Sequence, residues 1–119
     1  MSVNFAIDPR TARGTRRGPA EKLRDALDAL ATSKAIVLRH SEQAWASITF
    51  SGARHSVVLA FEGIDAAKAG EIFIAELPDH EFAIPGQLVA DAVILSVDHT
   101  MLPDVRLVVK AELLLLQDA

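Results

Sequence analysis

Apolar and polar residues alternate along the chain with two different periods. Over Pro19–Ala31, apolar residues recur at spacings of three and four, and charged residues fill the other positions. That period predicts an amphipathic helix, and Pro19 suits its first turn because an N–H there would have no partner. A broader apolar band predicts a second helix over Ile64–Leu77, bounded by Gly63 and Pro78.

Segments with a period of two predict strands between and after these helices. Short polar or Gly-containing stretches separate them and indicate turns, among them Ser41-Glu42-Gln43 and Ser51-Gly52-Ala53-Arg54. Short additional strands over residues 3–7 and 81–84 are compatible with the same pattern. The main predicted strands are Ala35–His40, Ala44–Ser51, His55–Phe61, Gln87–His99 and Val105–Leu116.

Each of the two long C-terminal strands has a row of apolar residues at odd positions, which includes Val89, Val93, Leu95 and Val97 on the first. The odd-numbered residues of both strands must therefore lie on the same face of the sheet, because otherwise one apolar row would point to water. This predicts Val97 opposite Leu107, with Asp98 opposite Arg106 on the outer face. The same register predicts two further outer pairs, Ile94 with Lys110 and Ala92 with Glu112.

These elements predict an α+β fold with the order α-β-β-β-α-β-β and a possible short N-terminal strand. The antiparallel sheet would have five or six strands, with both helices on one face. A length of 119 residues fits one domain. We assign that domain to residues 19–119. Residues 1–18 are expected to form a flexible Arg-rich arm, because Pro and Gly bracket them.

Charge and composition narrow the classes of function. The arm has four arginines against Asp8, a net charge of +3, whereas the rest of the chain has a net charge of −7. An acidic body repels phosphate backbones, so nucleic-acid binding is not expected. No apolar run is long enough to span a membrane, and no secretory signal is recognisable, so a cytoplasmic location is expected. Without cysteine, disulfides and thiolate zinc sites are excluded.

Candidate ligand-binding residues are few, and no catalytic, cofactor or metal motif is recognisable. Asp91 interrupts the apolar odd-numbered row of its strand, so it would need a partner, a raised pKa or water. His55 and His99 each end an apolar strand face and would meet at the rim of the sheet. With Arg54, these residues form a predicted polar rim site. The alternatives are that Asp91 projects into solvent or pairs with an arginine, and that the histidines are surface residues.

Apolar residues in unexpected places predict self-association. Leu114 and Leu116 make the outer face of the last strand apolar, and a strand apolar on both faces must be covered on both. Met101 and Leu102 add apolar groups at a hairpin tip, and Trp45 lies on the less apolar side of its strand. These five residues are the predicted interface, and a symmetric homodimer is the expected form.

Two functional hypotheses follow. The first is a non-enzymatic, self-associating module that binds a protein partner or a small apolar ligand. The second is a small enzyme or ligand-binding protein that uses the polar rim site of Asp91, His99 and His55. An enzyme would need these side chains to converge in one concave site, whereas a module would leave them scattered.

Overall fold

The structure, a computed structural model, describes residues 18–118. Its strands form an antiparallel sheet whose four members lie in the order β1-β2-β4-β3, so β2 and β4 are central and β1 and β3 are the edges. The element bounds are α1 Pro19–Leu30, β1 Ile36–Ala46, β2 Ser51–Glu62, α2 Ile64–Glu76, a 3-10 turn Leu77–Asp79, β3 Gln87–Thr100 and β4 Arg106–Gln117.

The α+β class and the two helices are confirmed, but the strand count is wrong. The first three predicted strands are two, because Ser41-Glu42-Gln43 does not turn and stays extended opposite β2. The turn lies at residues 47–50, so the turn predicted at Ser51-Gly52-Ala53-Arg54 is wrong and these residues begin β2. In the observed turn, the Ser47 hydroxyl accepts hydrogen bonds from the N–H groups of Thr49 and Phe50, at 3.3 and 3.0 Å. This local side-chain to backbone pairing closes the hairpin.

The minor strand predictions have different outcomes. Residues 81–84 are not a strand, since this segment runs irregularly from the 3-10 turn to β3. Ile84 is nevertheless buried and belongs to the core. Residues 3–7 lie outside the described residues, as does most of the predicted arm.

The predicted pairing of the last two strands is wrong in register. Val97 lies opposite Val109 and Thr100 opposite Arg106, because the connecting loop is residues 101–105 and not 100–104. Two β-bulges then shift the pairing again along β3. The predicted outer pairs are therefore replaced: Asp98 lies opposite Val108, Ile94 opposite Ala111, Ala92 opposite Leu113, and Arg106 pairs with Glu62 through Nε and Oε2 at 3.1 Å.

Both helices pack on the same face of the sheet. Leu23 and Leu27 of α1 and Phe73 of α2 join one buried cluster with the odd-numbered residues of β2 and β4. Gly70 brings α2 close to the sheet, since a Cβ there would meet the side chains of Phe61 and Leu107. We call this covered side the helix face and the opposite side the outer face.

Candidate functional site

The structure does not bring the predicted rim residues together. His55 lies opposite Leu113 of β4, whereas His99 lies opposite Leu107. Six residues of extended strand separate these two positions, which corresponds to about 20 Å. His55 is fully buried and His99 is exposed. The expected meeting of the two histidines at one rim is therefore wrong.

Asp91 lies on the outer face because of a β-bulge. The bulge between Val89 and Asp91 inserts one residue into β3 and reverses which side chains face the helices. Asp91 consequently lies opposite Leu114, on the outer face, and is exposed. Arg54 lies on the other side of Leu114 in the same row, and its Nη1 is 3.5 Å from Oε1 of Glu112.

A histidine pair, with His55 buried and His40 half-buried, is the polar cluster that the sequence did not reveal. His40 of β1 and His55 of β2 both point to the helix face, and Nε2 of His40 lies 2.9 Å from Nδ1 of His55. The remaining ring nitrogens, Nδ1 of His40 and Nε2 of His55, are buried without a hydrogen-bond partner among the described residues. In either tautomer, the neutral pair therefore leaves one N–H and one lone pair unsatisfied.

Burial is the main cause that lowers the pKa of both imidazoles below their usual range. For His40, the positive charges of His55 and Arg24 lower its pKa further, while Glu42 and Glu21 oppose this. Glu42 also opposes the lowered pKa of His55. The pair is therefore expected to be neutral and hydrogen-bonded at neutral pH.

Two shallow cavities flank this pair. One of about 330 Å³ lies between α1 and β1 and is lined by Arg24, Arg39, His40 and Glu42, among others. Another of about 280 Å³ is lined by His55 and Glu42 together with the start of β2. The described residues contain no cluster of three side chains suited to hold a metal ion.

The predicted interface residues differ in exposure. Leu114 and Leu116 are buried within the chain, at 8% and 6% exposure, although no helix covers the outer face. Leu116 lies in the row Trp45–Gly52–Leu116–Leu88, which crosses all four strands of the sheet. Trp45 is half-buried, whereas Met101 and Leu102 at the hairpin tip are exposed, Leu102 at 82%.

Exposed large apolar side chains are concentrated on the edge strands and the hairpin tips. Among residues 18–118, none lies on the central strands β2 and β4, and only Ile64 and Ile72 lie on a helix. The remaining exposed side chains are Ile36, Val37 and Leu38 on β1, Leu88, Leu95 and Val97 on β3, Ile48 and Phe50 at one tip, and Met101 and Leu102 at the other. The apolar pattern of a strand does not show this exposure, because exposure depends on which strands become the edges of the sheet.

Comparison with known proteins gives a match in fold. No family model matches the sequence, and no curated protein matches it. The chain is similar in structure to one from the virion of the native gene transfer agent (GTA) particle, with a TM-score of 0.55 and 15% identity. The match covers 82% of this chain and 90% of that chain. At this identity the likeness concerns the fold alone.

A helix that spans a membrane needs about 20 mainly apolar residues. Within residues 18–118, no helix is both long and apolar enough to cross a membrane.

Proposed function

We propose that this chain is a non-enzymatic, self-associating module that serves as a structural subunit of a larger assembly. The observation that carries the proposal is the distribution of exposed apolar side chains, which lie on the edges and tips of the sheet and not on its central strands. Clusters of exposed apolar side chains are typical of protein interaction sites. Edge strands also present unpaired backbone groups to a partner strand.

The structural neighbour supports an assembly role. That neighbour is part of a virion, which is a particle built from many protein subunits. A chain of similar fold is therefore part of a virion. The partner in our proposal is another copy of this chain, with further protein subunits of an assembly as additional partners.

The alternative enzymatic hypothesis has little support. Its candidate residues His55 and His99 are about 20 Å apart along β4. Asp91 is on the opposite face of the sheet from His55. A rim site would need these groups in one concave region, so we do not adopt it.

The proposal is tested by measuring the mass of the purified chain in solution. Sedimentation velocity and light scattering across the micromolar range are expected to give species heavier than the 12.8 kDa monomer. The average mass should rise with protein concentration, because association is bimolecular. A monomer at every concentration would contradict self-association, and a mass of two chains only would favour the symmetric dimer predicted from the sequence.

A further inference from the structure

The two edge strands run in opposite directions. The sheet order is β1-β2-β4-β3 and each neighbouring pair is antiparallel, so β1 and β3 are antiparallel to each other. A second copy that is shifted sideways in the same orientation therefore brings its β1 antiparallel to β3 of the first copy. The helices of both copies then lie on the same face of the extended sheet.

Each edge strand has a β-bulge at a similar height of the sheet, with the two bulges one row apart. The bulge of β1 lies between Val37 and Arg39, and one bulge of β3 lies between Ile94 and Ser96. A bulge inserts one residue and changes which side chains point to the helix face. The side chains of a bulged strand therefore point to the same faces as those of its partner on both sides of the bulge only if the partner also has a bulge nearby. The two edges of this chain satisfy that condition for each other from Val37 to Gln43 of β1 and from Asp91 to Val97 of β3, where the second bulge of β3 ends the match.

The rows of the sheet give the register at which the bulges match. Val37 and Val97 end one row on the helix face, which runs through β2 and β4. Beyond the bulges, His40 and Ile94 end the next row on that face. Placing Val97 opposite Val37 of the next copy therefore also places Ile94 opposite His40 of that copy.

Apolar surface is buried at this register. The row from Val37 to Val97 is buried in its middle, at Leu59 and Val109, but its two ends are 36% and 43% exposed. The α2 helix packs on β2 and β4 and leaves both ends open. Pairing of the two edges would make the row continuous between copies and remove both valines from water.

The charges near these valines are complementary. Lys34 precedes β1, and Asp98 follows Val97 on β3. With Val97 opposite Val37 of the next copy, Asp98 is opposite Ile36 and diagonal to Lys34 of that copy. Opposite charges at such positions stabilise strand pairing, and like charges destabilise it. Two β3 strands paired through the same region would instead bring acidic residues together.

We propose that copies of this chain associate head to tail, with β3 of one copy pairing antiparallel with β1 of the next and Val97 opposite Val37. This inference rests on the self-association proposed above and specifies its partner surface. A head-to-tail contact leaves one free edge at each end of the assembly. It therefore forms a ring when the rotation between copies closes, and a filament when it does not.

Two edge-blocked variants test the proposal directly. Val37→Lys places a charge on the β1 edge, and Val97→Lys does the same on the β3 edge. Each variant alone is expected to sediment as a monomer, because one of the two complementary edges is blocked. An equimolar mixture is expected to form a heterodimer and nothing larger, since each variant supplies the edge that the other lacks. Ile72→Lys, at an exposed position on α2, is the matched control and should associate like the wild type.

The possible results separate the two proposals. A wild-type chain that stays monomeric contradicts self-association itself. If the wild type associates but Val97→Lys alone still dimerises, pairing occurs through β1 of both copies and the head-to-tail geometry is wrong. A mixture that stays monomeric while the wild type associates overturns it as well. Circular dichroism of each variant confirms that it remains folded.

A milder pair of substitutions tests the register without placing charge in the apolar row. Lys34→Glu and Asp98→Lys are at exposed positions, so both should fold. Each alone is expected to weaken association about fivefold, which is the size of a cross-strand charge effect. The double variant restores the opposite charges and should associate like the wild type. A double variant weaker than either single one would overturn the proposed register.

Discussion

The central strands and the edge strands of this sheet have very different surfaces. On β2 and β4, the residues that face the helices are buried from His55 to Phe61 and from Leu107 to Leu115, and the outer face carries polar groups such as the Arg54–Glu112 ion pair. On β1 and β3, apolar side chains such as Leu38 and Leu95 are exposed. The helices are too few to cover a sheet four strands wide, so the centre is complete within one chain and the edges are not. Stability should therefore depend on the central strands, and association on the edges.

The largest effect on stability is expected at Phe61 of β2. Its ring is fully buried and packs against Phe73 of α2, with 5.6 Å between the ring centroids. Phe61→Ala should lower the free energy of unfolding by about 3 to 5 kcal/mol, because it leaves a cavity between sheet and helix. Leu95→Ala on the edge should change it by less than about 0.5 kcal/mol. Urea denaturation measures both, and equal losses would break the contrast between centre and edge.

A smaller loss is expected at Gly52, where β2 approaches β4 closely. A Cβ at this position would collide with the backbone carbonyl of Leu115. Backbone cannot rotate away as a side chain can, so Gly52→Ala should cost about 2 kcal/mol of unfolding free energy. Its exposed neighbour gives the control, since Ser51→Ala should be nearly neutral. Thermal or urea denaturation that finds both variants neutral would show that the two central strands separate easily.

Acid is expected to lower the stability of the fold through the His40–His55 pair, which joins the edge strand β1 to the central strand β2. Burial lowers the pKa of both imidazoles in the folded chain, while in the unfolded chain each has its ordinary pKa of about 6.5. Below about pH 6.5 the unfolded state therefore binds more protons. Stability from this pair is full above that pH and is lost as the pH falls through the lower folded-state pKa values. Urea titrations at a series of pH values measure the loss.

Matched variants isolate the contribution of this pair. The double variant His40→Gln/His55→Phe lacks both imidazoles and should show a flatter pH dependence of the free energy of unfolding than the wild type. Ile72→Gln, at an exposed position on α2 without an ionisable group, is the control and should leave that dependence unchanged. If the double variant keeps the wild-type slope, acidic residues elsewhere cause the whole effect.

The smallest effect is expected on the outer face. Glu112→Gln removes the partner of Arg54, which lies 3.5 Å away in a partly exposed position. The expected loss is about 0.5 kcal/mol, because water screens such a pair. The difference between variant and wild type should vanish in concentrated salt. A loss that persists there would mean that Glu112 contributes to stability by packing.

The exposure of some candidate residues followed from the sequence pattern and that of others did not, for a physical reason. Interface candidates at the hairpin tip, Met101 and Leu102, are exposed as their turn position suggested. Leu114 and Leu116 are not, since neighbouring strands of the same chain bury them, and apolar pattern alone does not identify the cover. Asp91 was placed on the helix face because alternation was assumed to continue, and a single inserted residue reverses it.

The sequence by itself determined the helices, the extended segments and the apolar side of β2 and β4, because these follow from local periodicity. Tertiary structure decided which segments join, where the bulges lie and which strands become edges. Those features depend on partners far apart in the chain, such as His40 and His55 across β1 and β2, or Gly52 against Leu115. A period-two pattern shows which residues share one side of a strand, but it does not show which strand lies next to it. Only the assembled sheet therefore shows which apolar residues remain uncovered.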